Sequence, residues 1–270
     1  AASDVYKRQN TDRLNSQLNS QTREEKDRFS ADISFVGSMY HKNSYDDIKD
    51  KLPPYLRGYF DAAMLAQLNI YGDNIIDELL TVDILKQLSE FVDFRQDKRA
   101  FSDIRLVFES TFLGFKLANI ERVRTLNLLA KKNKVALYTD EQDTSLINVD
   151  FKGTVDYMND MPKVFNNSSI NLNMTIRNIR TGIPLRVWDI LGAGGFLLTN
   201  YQIELTDYFK NEESIVYYED MYDCCKKAEY YLLHEDKRRQ IAAKGHELVS
   251  KKHSYINRVK YILDVIGKIS

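Results

Sequence analysis

Residues 170–200 read INLNMTIRNIRTGIPLRVWDILGAGGFLLTN. Ile170-Asn171-Leu172-Asn173-Met174 has the short apolar character of a strand. Residues 183–192 keep helical spacing, and Gly194-Gly195 then breaks the pattern. Phe196-Leu197-Leu198-Thr199-Asn200 predicts a second strand. Strand, helix and strand in close succession make one βαβ unit, whose strands run parallel.

The same rhythm extends outward. Asp32-Ile33-Ser34-Phe35-Val36-Gly37-Ser38 predicts a buried strand ending in a tight loop. Lys134-Val135-Ala136-Leu137-Tyr138-Thr139 and Val149-Asp150-Phe151-Lys152-Gly153 predict two more, with a helix over 155–166. A short helix over 203–210 precedes a strand at Ser214-Ile215-Val216-Tyr217. The tail is helical, with Met221, Cys225, Ala228 and Leu232 on one face and Val259, Ile262, Leu263 and Ile266 on another. Between the first two strands, residues 40–131 form a helical insertion. Pro53-Pro54 opens a helix to residue 69, shorter helices lie within 74–91, and Ile104, Phe108, Phe112, Phe115 and Ala118 share one face of 102–131. The expected fold is α/β, a parallel sheet of five or six strands covered on both faces. Ligands of such sheets sit at the carboxyl ends of the strands, where the strand order reverses. That rule singles out Gly37-Ser38, Tyr138-Thr139, Gly153-Thr154, residues 173–180 and residues 200–204.

Composition narrows the function classes. Of 270 residues, 38 are Lys or Arg and 39 are Asp or Glu, giving a net charge of -1. No broad basic field exists to recruit nucleic acid. Only 4 Pro and 11 Gly punctuate the chain, which favours helices over a fold with a turn every ten residues. Cys224 and Cys225 are adjacent, so the pair predicts two reduced residues on a helix rather than a bridge or a zinc site. No apolar run reaches 18 residues and no secretory leader is present, so a cytoplasmic protein without a transmembrane segment is expected. The first nine residues, AASDVYKRQ, look like a leader translated from sequencing-adapter DNA. On that expectation the chain is a fragment. Residues 10–29 are polar, without apolar periodicity, and predict a linker. The domain proper is then 30–270.

Chemistry concentrates around Gly182. A glycine before a helix start leaves backbone N–H groups open to an anion. Arg180 and Arg186 flank that terminus and can pair with phosphate oxygens, and Asp189 follows nearly two turns into the helix, where a carboxylate accepts from ribose hydroxyls. The plainer alternative is a helix start with surface arginines.

Read as a whole, the run from Ile170 to Arg258 resembles the carboxyl-terminal domain of bacterial glycosyltransferases of the GT-B fold, within them the spore maturation CgeB-like group. The resemblance rests on Ile170-Asn171-Leu172-Asn173, Gly182-Ile183-Pro184-Leu185-Arg186, Asp189 and the run 192–205. It continues through Tyr231-Leu232, Arg238, Ile241-Ala242 and Gly245 to His253 and Arg258, and the strand at 32–38 also fits. It implies a Rossmann-like domain that forms the donor-binding half of a hexosyltransferase-type enzyme. A nucleotide-diphosphate sugar is then substrate, with no cofactor and no metal. It implies Asp189 at the ribose, with Lys152, Thr154 and Val155 at the base. Gly37 and Ser38 approach the diphosphate, and Arg186 neutralises it. Asn173, Gly182, Gly194, Gly195, Asn200 and Glu204 complete the donor-binding set. Relatives carry a glutamate eight residues before the ribose carboxylate; here Thr181 stands there, leaving that sugar contact unassigned. The acceptor, a protein, glycan or cell-surface polymer, and the acceptor-activating base belong to the other half.

Other residues carry weaker signals. Glu204 is equally a carboxylate at a helix start. Tyr138 either stacks on a base or packs in the core. Of the histidines, His41 alone follows a candidate loop, while His234, His246 and His253 lie in the helical tail. Two other classes stay open: a non-catalytic nucleotide-sugar-binding module and a helical interaction module. A dinucleotide oxidoreductase lacks its Gly-x-Gly-x-x-Gly after the first strand.

Overall fold

A computed structural model describes residues 11–92, 103–140 and 142–269. Helices α1 (Thr11–Asn19) and α2 (Arg23–Phe29) lead into strand β1 (Ala31–Val36). The insertion then supplies α3 (Ser44–Ile48), α4 (Pro54–Gln67), α5 (Ile76–Leu79), α6 (Val82–Ser89), α7 (Ile104–Val107) and α8 (Phe115–Leu129). Strands β2 (Val135–Tyr138) and β3 (Val149–Phe151) precede α9 (Met161–Asn167) and β4 (Ser168–Asn173). Next come α10 (Leu185–Gly192), β5 (Leu197–Asn200), α11 (Leu205–Tyr208) and β6 (Val216–Tyr218). Helices α12 (Met221–Leu233), α13 (Glu235–Lys252) and α14 (Tyr255–Ile269) close the chain.

All four residues of β2 and of β5 are buried, as strands covered on both faces require. The six strands form one parallel sheet in the order β3-β2-β1-β4-β5-β6, a Rossmann-like fold. Ile33 of β1 faces Val135 on one side and Ile170 on the other, so the strand order reverses between β1 and β4. One apolar layer joins Ile33, Phe35, Leu172 and Leu198 to α8, α12 and α13 through Leu126, Ala228 and Ile241. The opposite layer joins Ala31, Ala136 and Leu197 to Phe29, Val164, Val187 and Leu191 of α2, α9 and α10. The insertion has its own core, running from Tyr45 through Phe60 and Leu88 to Leu117. Pro54 opens α4 at a position where its missing N–H costs nothing.

Three expectations change. The linker expected over 10–29 is, from residue 11 onward, two helices seated on the α9 region; residues 1–10 lie outside the described residues. Thr22 and Glu25 form a reciprocal capping box that starts α2. Gln17 donates to the carbonyls of Met158 and Asn159, Glu25 pairs with Lys163, and Phe29 is buried. With Leu14 and Phe29 the buried apolar anchors, no periodic stripe marks the segment. The helix expected over 155–166 starts only at Met161, because the Asp156 carboxylate accepts from the amides of Met158 and Asn159 and holds a turn instead. The helix expected over 102–131 is interrupted by a π-helical stretch, Phe108–Gly114, while residue 102 lies outside the described residues. There Ser110 donates to the carbonyl of Leu106, a bond that bends helices. Cys224 and Cys225 stand unbridged on α12, and no helix among the described residues is long and apolar enough to cross a membrane.

Candidate functional site

The loops after β1, β2 and β3 converge with α9 and α10 on an open pocket of about 590 Å³. Val36, Gly37 and Ser38 form one wall, Tyr138, Thr139 and Asp140 a second, and Thr154, Val155 and Tyr157 a third. Met161 and Arg186 close the side toward the helices. Gly37, Ser38, Thr154, Val155 and Arg186 therefore meet around one cavity although they come from three loops or helices far apart in sequence. A Cβ at Gly37 would lie 3.3 Å from the Phe35 ring, so the chain turns tightly here. The Gly37 amide is engaged by the sheet, donating to the Tyr138 carbonyl at 3.0 Å. Tyr138 is nearly buried, and burial pushes its hydroxyl pKa up to about 12.

Arg186 sits in the first turn of α10, and its guanidinium lies 5.5 Å from the centre of the Phe165 ring. Nη1 contacts the thioether sulfur of Met161. Among the described residues no carboxylate stands within ion-pair distance of it. Burial disfavours its charged form and lowers its pKa, an effect opposed by the charge of Asp189. An arginine stays protonated in proteins, so the result is a desolvated cation short of an anion.

Asp189 does not line the pocket itself. Its Oδ2 accepts from the hydroxyl of Tyr157 at 3.0 Å, and Tyr157 forms the wall. Sequence reasoning missed Tyr157, since a tyrosine in a turn carries no motif. Lys152 also stays outside the pocket lining: Nζ pairs with Asp150 at 2.7 Å and the amide donates to Leu137 at 2.8 Å.

The other half of the carboxyl edge keeps only a narrow cleft, between Gly72 and Asp73 of the insertion and Ile176, Arg180, Asn200 and Gln202, and the chain engages most of the polar groups there. Gly182 has a φ of 93°, but its amide donates to the Glu204 carboxylate rather than standing open to an anion. Arg180 pairs with Asp77 at 3.0 Å and donates to the Asn74 carbonyl, so the insertion holds it. Asn173 donates to the hydroxyls of Thr175 and Thr199, and Asn200 brackets Thr175, accepting from its amide and donating to its carbonyl. Both asparagines fasten the loop after β4 to the end of β5. Gly194 and Gly195 lie at the opposite, amino edge, because they follow a helix and precede a strand; Asn166, Ser169 and Arg238 surround them. Gly195 lets β5 pass close to β4 and α9: a Cβ there would stand 2.6 Å from Asn171 Nδ2 and from the Phe165 carbonyl oxygen. Gly195 is thus required by close packing and Gly194 by its left-handed φ of 76°, and both lie at the edge of the sheet opposite the pocket lined by Gly37 and Arg186.

Beneath this half lies a buried charge cluster that the sequence did not reveal. Glu121 of α8 pairs with Arg177 at 2.8 Å and accepts from the Tyr71 hydroxyl at 3.1 Å. The Arg177 guanidinium stands 3.4 Å from the Tyr71 ring centre. Arg122, also buried, donates to the carbonyls of Ser38 and Met174 and ties the β1 and β4 loops together. Between the loops that follow β1 and β2, His41 Nδ1 lies 3.5 Å from Asp143. Burial would raise the Asp143 pKa, but hydrogen bonds from Ser145 and Asn119, with His41 nearby, hold it below the usual carboxylate range. The tail histidines contact their own surroundings, His234 the Tyr230 carbonyl and His246 the Leu191 carbonyl.

A family model described as glycosyl transferase-like matches residues 120–264, from within α8 to within α14. Among solved structures, one titled as the crystal structure of TarM is similar at 13% identity with a TM-score of 0.41, covering 52% of this chain and 31% of that one. The chain thus spans about a third of that structure's length. No curated protein matches the chain.

Proposed function

The chain belongs to the glycosyl transferase-like family, and we propose from that premise that it is the donor-binding half of an enzyme that uses a nucleotide-diphosphate sugar. The single observation that supports this reading most is Arg186, a desolvated cation on the wall of an open pocket, without a carboxylate partner among the described residues. Desolvating a charge even in part is costly unless it is paired, and a diphosphate oxygen is the partner of matching chemistry for half-buried Arg186. In the transfer step the bond between the anomeric carbon and the diphosphate oxygen breaks, and a bond from that carbon to an acceptor oxygen forms. Negative charge then builds on the leaving diphosphate, where Arg186 stabilises it. Gly37 and Ser38 border the diphosphate, and Thr154 and Val155 border the nucleoside. The acceptor is a protein, glycan or cell-surface polymer, and its base comes from a second domain. The run from Ile170 to Arg258 supports placement in the CgeB-like group, as a bacterial, cytoplasmic hexosyltransferase.

The test is calorimetric titration of the purified chain with the common nucleoside diphosphates. Saturable binding of at least one is expected. Arg186→Ala should weaken it by about 10- to 100-fold, the worth of a charge-assisted hydrogen bond, and leave affinity for the free nucleoside nearly unchanged. Equal losses for both ligands would remove the phosphate role. A second reading, a binding module without turnover, is favoured by Thr181, which is exposed, and by the engagement of Glu204 with the Gly182 amide. Donor binding with no release of nucleoside diphosphate by the complete enzyme would decide for it.

A further inference from the structure

We infer that Asn119 and Arg122, on one face of α8, are positioning residues for the diphosphate: they fix the loop after β1 from behind and shape its Gly37–Ser38 wall before a donor arrives. The inference rests on the donor-binding reading above and brings the helical insertion into it. Phe115, Asn119 and Arg122 stand four and then three residues apart, the spacing that puts side chains on one side of a helix. Each meets a successive residue of the loop. Arg122 Nη1 donates to the Ser38 carbonyl, Asn119 Nδ2 donates to the Met39 carbonyl at 3.0 Å, and the Phe115 ring stacks on the Tyr40 ring at 4.4 Å.

The loop needs such a frame. Tyr40 has a φ of 49°, a left-handed conformation that a residue with a side chain keeps only under constraint. Its amide donates to Ser38 Oγ at 3.2 Å, and its ring centre lies 4.8 Å from the Arg122 guanidinium. Both clamps are anchored elsewhere as well. Arg122 Nη2 donates to the Met174 carbonyl at 2.6 Å in the loop after β4, and Asn119 Nδ2 to buried Asp143 at 3.2 Å in the loop after β2. One helix thus sets the loops that follow three strands, β1, β2 and β4. A wall fixed in advance spares the ligand the cost of ordering it. Arg122 also brings charge. It is buried and bonded to a residue of the wall, so water screens it poorly from an anion at Ser38. Thr154 and Val155, which border the nucleoside, belong to another loop, the one after β3. Loosening the β1 loop should therefore cost affinity for the phosphates and spare affinity for the nucleoside.

The experiment titrates the full chain with a nucleoside diphosphate that binds and with its free nucleoside, and follows hydrogen exchange over residues 37–40. Arg122→Lys keeps the charge but cannot fork to two carbonyls. It should weaken diphosphate binding by about tenfold, the worth of one hydrogen bond, and change nucleoside affinity by less than about twofold. Arg122→Met loses the charge too and should weaken diphosphate binding by about 100-fold. Asn119→Ala, which removes a tie and no charge, should cost about three- to tenfold. In each variant, exchange over 37–40 should quicken by about tenfold or more while that of β4 stays slow. Equal losses for both ligands overturn the inference, as does an unchanged affinity ratio in folded Arg122→Lys or unchanged exchange over 37–40. Should neither Arg122 variant fold, Asn119→Ala decides: an unchanged ratio of diphosphate to nucleoside affinity there overturns the inference. A wild type that binds no nucleoside diphosphate overturns the donor-binding reading as well, whereas a diphosphate preference indifferent to α8 overturns this inference alone.

Discussion

Glu121→Ala is expected to lower the unfolding free energy by about 3–5 kcal/mol, the cost of stripping the partner from a buried charge. Glu121 and Arg177 are 2% and 4% exposed, and their 2.8 Å contact joins the insertion to the loop after β4. Without the carboxylate, Arg177 keeps its charge with the face of Tyr71 as its nearest compensation. The Tyr71 hydroxyl loses its acceptor at the same time. Arg122, the next residue and likewise buried, feels the same loss, since the charge of Glu121 is one of the influences that favour its ionised form. Urea denaturation of the single variants and of the double variant Glu121→Leu/Arg177→Met measures the effect. The double variant should be more stable than either single one, because replacing both charges removes the penalty of leaving one unpaired. A loss of less than about 1 kcal/mol in Glu121→Ala, the range of exposed pairs, would show that water reaches this cluster.

Gly195→Ala is expected to unfold the protein more readily while leaving nucleotide affinity in the folded fraction intact. The new methyl would meet Asn171 Nδ2 and the Phe165 carbonyl oxygen at 2.6 Å each, and the second is backbone. Overpacking costs about 1–3 kcal/mol. Displacing the Asn171 amide, which donates to the carbonyls of Phe165 and Phe196, adds about 1–3 kcal/mol for buried groups left unpaired. Gly194→Ala is the control. Its Cβ would find nothing nearer than 3.7 Å, and only the φ of 76° opposes it, at about 1–2 kcal/mol. Thermal melts rank the two variants, and titration with a nucleoside diphosphate tests the affinity. A selective loss of affinity in Gly195→Ala would return this glycine to the binding site.

The pair of glycines shows where the sequence was legible and where it was not. The breakers correctly separate α10 from β5, because a helix cannot continue through them. Which edge of the sheet they occupy depends on connectivity: a loop that enters a parallel strand lies at the amino edge, away from the ligand. Gly37, Ser38, Thr154, Val155 and Arg186 follow the converse rule and line one pocket. Asn173 and Asn200 lie at the right edge, but their amides bond to Thr175 and Thr199, and residue type cannot distinguish a polar group facing a ligand from one that ties two loops. Tyr157 and Glu121 escaped notice for a related reason. Each acquires meaning only from a partner more than thirty residues away, Asp189 and Arg177 respectively. Helices α1 and α2 were hidden because side-chain amides, a capping box and isolated apolar anchors hold them, not a repeating apolar stripe.

The long insertion also sets the order in which the molecule can be made. Strand β1 is the centre of the sheet, yet its neighbours begin at Val135 and Ser168, so during synthesis it emerges about a hundred residues ahead of its first partner. Contacts this distant in sequence carry a loop-closure cost that slows assembly. The insertion does not share the delay. The residues of its core, from Tyr45 to Leu117, all precede β2 in the chain. A helical insertion whose core contacts are local needs no partner from the sheet, so its folding would shorten the effective loop that β1 must close.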